Sequence, residues 1–117
     1  DFLFHLYNVL IPQADETAMR ALNSLETHMK SRTNGEIIVG GDFNCTLNPA
    51  YDRLSMPFEH RPSFVSALKR VIDSSDLYDA WRRMHPEERK FSWQRNNPTS
   101  IHGVSKARLE RFYVPFG

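Results

Sequence analysis

The sequence predicts an α/β fold, a layered sandwich in which helices cover sheet. Three observations support it: a strand-like run at 2–11, an amphipathic helical stretch that opens at Asp15, and a second strand-like run from Glu36 to Gly41. Strand, helix and strand within about forty residues have the length of a crossover unit that joins parallel strands. The chain has 117 residues, of which 40% are hydrophobic. We therefore expect one partial domain over 1–117.

The first run is almost continuously apolar and ends at Pro12. Such a run is typical of a strand that is covered on both faces. From Asp15, apolar residues recur every three or four positions and form one helical stripe, which stops at Asn34-Gly35. The stripe consists of Ala18, Leu22, Leu25 and Met29. We expect this helix to pack on the sheet.

The second run ends in the segment that best indicates chemistry, Gly40-Gly41-Asp42-Phe43-Asn44. Because side chains alternate along a strand, Asp42 and Asn44 leave the strand end on the same side. A carboxylate and an amide suit a hard metal ion and a phosphate. Gly, Asp and Asn are also the commonest turn formers, so the segment taken alone is more typical of a plain turn.

The remaining sequence predicts one more helix and two more strands. The stretch from Thr46 to Arg61 is polar, has no periodicity and is expected to be a loop. Pro62 starts a second amphipathic helix that ends near Ser74-Ser75. A short turn is expected at 76–81. The last two predicted strands are 90–94 and 108–114, joined by a polar loop.

The positive charge of the chain is concentrated near its end. Residues 82–117 hold eight Lys and Arg against three Asp and Glu, whereas 1–81 hold seven against eleven. A basic region with interspersed aromatic residues is suited to contact a phosphate backbone. On charge alone, an ordinary solvated surface is the more common explanation.

Targeting signals and membrane helices are not predicted. No apolar run approaches the ~18 residues of a membrane helix, and the apolar start lacks the features of a signal peptide. The single Cys45 agrees with a reducing compartment. We expect an intracellular protein that is nuclear if it is functional. Neither membrane contact nor oligomer formation is predicted. The strand-like start without an initiator methionine suggests a piece of a longer chain.

Four motifs in order point to one family. They are Asn8-Val9-Leu10-Ile11-Pro12-Gln13, Gly40-Gly41-Asp42-Phe43-Asn44, Phe91-Ser92-Trp93 and Ala107-Arg108-Leu109-Glu110-Arg111-Phe112-Tyr113-Val114. The chain resembles the endonuclease/exonuclease/phosphatase superfamily, and within it the apurinic-type endonuclease domain of LINE-like non-LTR retrotransposons. The segment from Asp76 to Pro86 is similar to theirs as well. The resemblance spans nearly the whole chain.

The resemblance implies part of a four-layer, two-sheet fold and Mg²⁺-dependent phosphodiester hydrolysis without a covalent intermediate. Asp42 matches the acid that orients or deprotonates the attacking water and helps to place Mg²⁺. Asn44 matches the amide that helps to hold that water and the phosphate. Glu110 matches the acid of the last motif, which is an aspartate in most of the family. The implied partner is DNA, and the implied parent polyprotein carries a reverse transcriptase.

The chain departs from the family pattern at two further positions. The tyrosine of the first motif falls on Leu10, which cannot donate a hydrogen bond, and the asparagine three positions later falls on Gln13. The family's metal-binding glutamate would precede Asp1, and its final aspartate and histidine would follow Gly117. The isolated chain is therefore expected to be catalytically incomplete, because such groups act as a unit.

Three other residues are substrate-binding candidates. Ser92 falls where the family has a threonine or serine near the scissile phosphate, although a strand serine is as often structural. Trp93 is suited to stack on a base, although a tryptophan at strand spacing is more often in the core. Arg53, beside Asp52, is placed to contact a phosphate, and a local ion pair in an exposed loop is an equal alternative.

The main hypothesis is thus a fragment of a retrotransposon-type endonuclease that nicks target DNA for reverse transcription. One alternative is a nucleic-acid-binding or remnant module of the same fold without chemistry, favoured by Leu10, Gln13 and the basic C-terminal region. Another is a phosphatase or phosphodiesterase of the same superfamily that acts on lipid substrates. The retroelement-like segment 76–86 argues against the last.

Overall fold

A computed structural model describes residues 3–31, 34–54, 61–97 and 103–116. Within these residues, the chain forms two sheets accompanied by helices, so the predicted α/β class is confirmed. The elements in chain order are β1 (Phe4–Leu10), α1 (Asp15–Ser31), β2 (Glu36–Asp42), α2 (Pro49–Asp52), β3 (Arg53–Leu54), α3 (Pro62–Ser74), β4 (Leu77–Asp79), α4 (Ala80–Met84), β5 (Trp93–Asn97), β6 (Gly103–Ala107) and β7 (Glu110–Pro115).

The first sheet has the strand order β1-β2-β7-β4. Strands β1 and β2 are parallel and joined by α1, which confirms the predicted crossover unit. Strand β7 then pairs antiparallel with both β2 and β4. A second sheet, with the order β3-β6-β5, is antiparallel throughout.

Helices α1 and α3 form where the sequence predicts them. Asp15 and Glu16 lie in the first turn of α1, and His28 and Lys30 in its last, so both ends complement the helix dipole. The predicted stripe of Ala18, Leu22, Leu25 and Met29 is buried. Helix α3 starts at Pro62 and buries Phe64, Val65, Ala67, Leu68, Val71 and Ile72.

One hydrophobic core joins both helices to a single face of the first sheet. Val39 of β2 and Tyr113 of β7 face the helices and are buried, as is Phe43, which follows β2. The rings of Phe43 and Tyr113 meet edge to face, with 5.1 Å between their centroids. Aromatic pairs prefer this geometry, so Phe43 anchors the chain directly beyond Asp42.

The prediction that the first strand is covered on both faces is wrong. Strand β1 is an edge strand, and its side chains alternate between half-buried and exposed. Leu6 and Leu10 are 70% and 73% exposed. Because α1 and α3 both pack on the opposite face of the sheet, this face keeps apolar side chains in solvent, including Phe112 of β7.

Two predicted irregular segments contain regular structure. The expected loop from Thr46 to Arg61 holds α2 and β3, and its residues 55–60 lie outside the described part. The expected turn at 76–81 is β4 followed by the start of α4. The predicted strands at 90–94 and 108–114 are β5 and β7, each shifted a few residues towards the C-terminus, and the loop between them contains β6. Short elements carry too little periodicity to be recognised.

None of the helices in the described ranges is long and apolar enough to cross a membrane.

We expect Gly41→Ala to destabilise the fold much more than Gly40→Ala. Gly41 has φ 144°, and a Cβ there would lie 1.9 Å from the carbonyl oxygen of Val9. At Gly40 the three atoms nearest to a Cβ all belong to the ring of Phe112, which is 59% exposed and can turn. Urea unfolding should show Gly41→Ala losing about 2 kcal/mol more stability than Gly40→Ala. Equal losses would contradict this.

Candidate functional site

Asp42 sits at the junction of three strands. It is the last residue of β2, opposite Leu10 in parallel β1 and Glu110 in antiparallel β7. Its backbone carbonyl accepts a hydrogen bond from the Ile11 N–H at 2.9 Å. Directly opposed residues of antiparallel strands project from the same face, with Cβ atoms about 5 Å apart. Asp42 and Glu110 therefore form a carboxylate pair on the sheet face away from α1 and α3.

The turn after β2 is held by its own polar groups. The Asp42 carboxylate accepts a hydrogen bond from the Asn44 backbone N–H at 2.9 Å. Asn44 has φ 49°, a left-handed conformation that asparagine tolerates well. Its side-chain amide donates to the carbonyl oxygen of Ile11. The plain-turn interpretation is thus correct for the local geometry, and it is compatible with a functional role for the Asp42 carboxylate.

Ser92 belongs to the same site as Glu110. Its hydroxyl oxygen accepts hydrogen bonds from the backbone N–H groups of Leu109 and Glu110, at 2.9 and 3.1 Å. Its own N–H donates to Ala107 at 3.1 Å. The Glu110 side chain is exposed, and within the described residues it makes no hydrogen bond or ion pair.

An open cleft of about 990 Å³ brings three of the predicted site residues together. Asp42, Ser92 and Glu110 line it, alongside apolar residues that include Trp81 and Phe112. The four other predicted residues lie outside this lining as far as the described chain extends. They are Gln13, Asn44, Arg53 and Trp93.

Each residue outside the cleft has a clear position. Gln13 is exposed between β1 and α1. Arg53 lies in β3, and its Nε donates to the hydroxyl of Thr46 at 3.0 Å. Trp93 starts β5 and is 41% exposed, so it is not a core residue. It lines a small second cleft with Ser92 and Lys106.

The donor set of the main cleft fits Mg²⁺ better than a metal that needs a full protein cage. No cluster of three or more His, Cys, Asp or Glu side chains placed to hold a metal ion occurs among the described residues. The Asp42 and Glu110 carboxylates offer oxygen ligands in an open cleft. Mg²⁺ keeps several waters and binds through one or two carboxylates.

A buried set of charged side chains next to the cleft is not predicted by the sequence pattern. Asp52 is 2% exposed and accepts hydrogen bonds from Arg82 at 2.5 Å and from the Nε of Arg108 at 2.9 Å. Arg108 also donates to Asp79 at 2.5 Å. Two carboxylates and two guanidinium groups balance each other. The alternative of an ion pair in an exposed loop is therefore wrong for Asp52, and no local pattern links residues 56 positions apart.

Tyr113 is buried beneath the site on the helix-facing side of β7. Burial raises the pKa of its hydroxyl to about 12, although the nearby charge of Arg111 opposes the shift. The Nε of Arg111 donates to this hydroxyl at 2.8 Å.

Comparison with known proteins relates the chain to a transposon protein. It is 35% identical over 112 residues, 95% of its length, to the transposon TX1 uncharacterized 149 kDa protein of Xenopus laevis. The chain spans 8% of the length of that protein. No protein-family model matches the chain. The transposon relationship that the motifs imply is therefore confirmed.

Removing one member of the buried charge set should be costly. Asp52→Ala leaves the guanidinium groups of Arg82 and Arg108 without their shared carboxylate, and we expect a loss of about 3–5 kcal/mol in the free energy of unfolding. The control is Lys30→Ala, which breaks a 3.4 Å pair with Glu26 whose lysine is 71% exposed. Such pairs contribute about 0.5 kcal/mol or less. Similar losses in denaturant unfolding would contradict the burial of Asp52.

Stability should fall at alkaline pH because of Tyr113. Its pKa is raised from 10.0 to about 12 in the folded chain. Between these values the unfolded chain has lost the proton while the folded chain keeps it, so stability decreases as pH rises, by up to about 1.4 kcal/mol per unit. Urea unfolding across this range should show a smaller slope for Tyr113→Phe than for the unmodified chain. A Tyr113→Phe slope equal to that of the unmodified chain would contradict the assignment.

Proposed function

We propose that the chain is part of a retrotransposon-type, Mg²⁺-dependent DNA endonuclease that nicks target DNA for reverse transcription. The observation that carries the proposal is the register of Asp42 opposite Glu110 on one open sheet face, with Ser92 bound to the Glu110 backbone. The relationship to a transposon protein supports it. The parent protein would carry a reverse transcriptase and would act in the nucleus.

The proposed roles follow from the chemistry of phosphodiester hydrolysis. An anionic phosphodiester resists hydroxide, so a site must hold a water in line, take its proton and balance negative charge on the phosphate. Asp42 and Glu110 would hold Mg²⁺, which when bound supplies that positive charge. The Asp42 carboxylate would orient the attacking water or accept its proton, and Asn44 would help to hold the turn that carries Asp42.

The surroundings of the cleft are suited to a DNA backbone. Ser92 carries a hydroxyl within the cleft, and Lys106 lies beside it with Trp93 on the neighbouring strand. We propose that Ser92 and Arg53 contact phosphates and that the exposed Trp93 ring stacks on a base, a contact worth about 1–3 kcal/mol in single-strand binders. Gln13 would contact DNA from the end of β1.

A second candidate is a nucleic-acid-binding module without chemistry. Leu10, opposite Asp42 in β1, is 73% exposed and offers no hydrogen bond to a phosphate. The Asn44 amide is already engaged by Ile11. For such a module, DNA binding would weaken steeply as salt rises and would be insensitive to Mg²⁺ and to replacement of Asp42.

Nicking of supercoiled plasmid separates the two candidates. The chain spans 8% of its relative, so the test uses a longer protein that contains it. We expect Mg²⁺-dependent nicking that falls at least about 100-fold in Asp42→Asn and in Glu110→Gln, the range for a positioned acid or base. The exposed Glu87→Gln is the control and should nick normally. Because Glu110 lies opposite Asp42 and its side chain has no partner within the described residues, Glu110→Gln should not lower the free energy of unfolding.

Nicking that survives both substitutions would overturn the endonuclease proposal at this site. DNA binding without nicking, unchanged by Mg²⁺ and by Asp42→Asn, would favour the binding module.

A further inference from the structure

Arg111 is a buried cation directly beside a candidate catalytic residue. It follows Glu110 in β7, and because side chains alternate along a strand, the two project to opposite faces. Glu110 is exposed in the cleft, whereas Arg111 is 3% exposed on the helix side. A guanidinium group stays protonated in proteins, so its burial must be compensated by hydrogen bonds.

The partners of Arg111 are two backbone carbonyls from separate segments, the Tyr113 hydroxyl and the Cys45 sulfur, which lies 3.8 Å from Nη2. Its Nη1 donates to the carbonyl oxygen of Cys45 at 2.5 Å and to that of Arg108 at 3.1 Å, and its Nε donates to the Tyr113 hydroxyl. No carboxylate is among its hydrogen-bond partners in the described ranges. The guanidinium also lies 4.9 Å from the centre of the Phe43 ring. One side chain thus joins the turn after β2 to the start of β7.

Those two segments carry the candidate site. Cys45 directly follows Asn44, and Arg108 stands two residues before Glu110. One further backbone bond, from the Phe43 N–H to the Leu109 carbonyl at 2.9 Å, links the same segments. A planar fork with five donors can bond two carbonyls and a hydroxyl together, which a lysine ammonium on a flexible stem does less well.

We propose that Arg111 is a positioning residue that fixes the Asp42–Cys45 turn against Glu110. The proposal rests on the proposed endonuclease function of Asp42 and Glu110. A direct contact of Arg111 with DNA is excluded by its burial. Arg111 therefore acts on the reaction through the placement of the two carboxylates and leaves DNA affinity alone.

Steady-state nicking by the longer protein tests the role of Arg111 in the reaction. We expect Arg111→Met to lower kcat about 10–100-fold, the range for groups that orient reacting residues, with KM for DNA unchanged. Arg111→Lys should recover little of this loss. The control is Leu68→Ala, which leaves a cavity where α3 packs on the sheet. This variant should be less stable but should keep its kcat at temperatures where the protein is folded. A raised KM with unchanged kcat, or full recovery with lysine, would overturn the proposal.

Hydrogen–deuterium exchange in the same proteins tests, independently of nicking, whether Arg111 holds the Asp42–Cys45 turn against the start of β7. If Arg111 holds the two segments together, the Phe43 amide should exchange about 10-fold faster in Arg111→Met, while the Val71 amide in α3 changes much less. In Leu68→Ala, the exchange rate of the Phe43 amide should not rise more than that of the other core amides. An unchanged Phe43 rate overturns the positioning role. A faster Phe43 rate in a protein that never nicks DNA would instead refute the endonuclease proposal, and the structural role of Arg111 would still stand.

Discussion

The structure around the cleft depends on how two buried guanidinium groups, three residues apart, are compensated. Arg108 is matched by the carboxylates of Asp52 and Asp79, which bring α2 and β4 against the link between β6 and β7. Arg111 is matched by the Cys45 carbonyl in the turn after β2, the Arg108 carbonyl and the Tyr113 hydroxyl. Glu110 lies between them in the sequence and points the other way. The exposed Glu110 carboxylate is thus held on a backbone that is fixed from both sides.

This arrangement separates the parts of the site that are rigid from those that are accessible. Functional groups must be held within fractions of an ångström by side chains that are themselves locked by packing and hydrogen bonds. Phe43 and Tyr113 lock the backbone from the helix side, and Gly41 brings β1 so close that a methyl group would not fit. The cleft face, in contrast, carries few constraints beyond the strand register.

Elements whose residue pattern repeats along the chain are predictable from the sequence, whereas features that depend on contacts between distant segments are not. The stripe of α1 and the strand end at Asp42 follow from period and turn chemistry, so their positions are confirmed. The prediction that β1 is covered on both faces is wrong because an apolar run does not reveal whether anything packs on the second face of a strand. The burial of Asp52 could not be predicted, because its partner Arg108 is 56 positions away and either residue alone is typical of a surface. The convergence of Asp42 with Ser92 and Glu110 was expected from the family motifs, not from any local pattern.

The contacts also show which site residue has no structural explanation and therefore best indicates a chemical role. Asp42 accepts the Asn44 N–H, and Asn44 donates to Ile11, so both would be useful to the fold even in a chain that had lost all catalysis. Glu110 has no such structural explanation: its side chain is exposed, and within the described residues nothing bonds to it. A carboxylate held opposite another carboxylate, without a cation between them, is unfavourable for the fold by itself. A bound cation would relieve that repulsion. The carboxylate pair therefore favours metal-dependent chemistry more than the Gly-Gly-Asp segment does by itself.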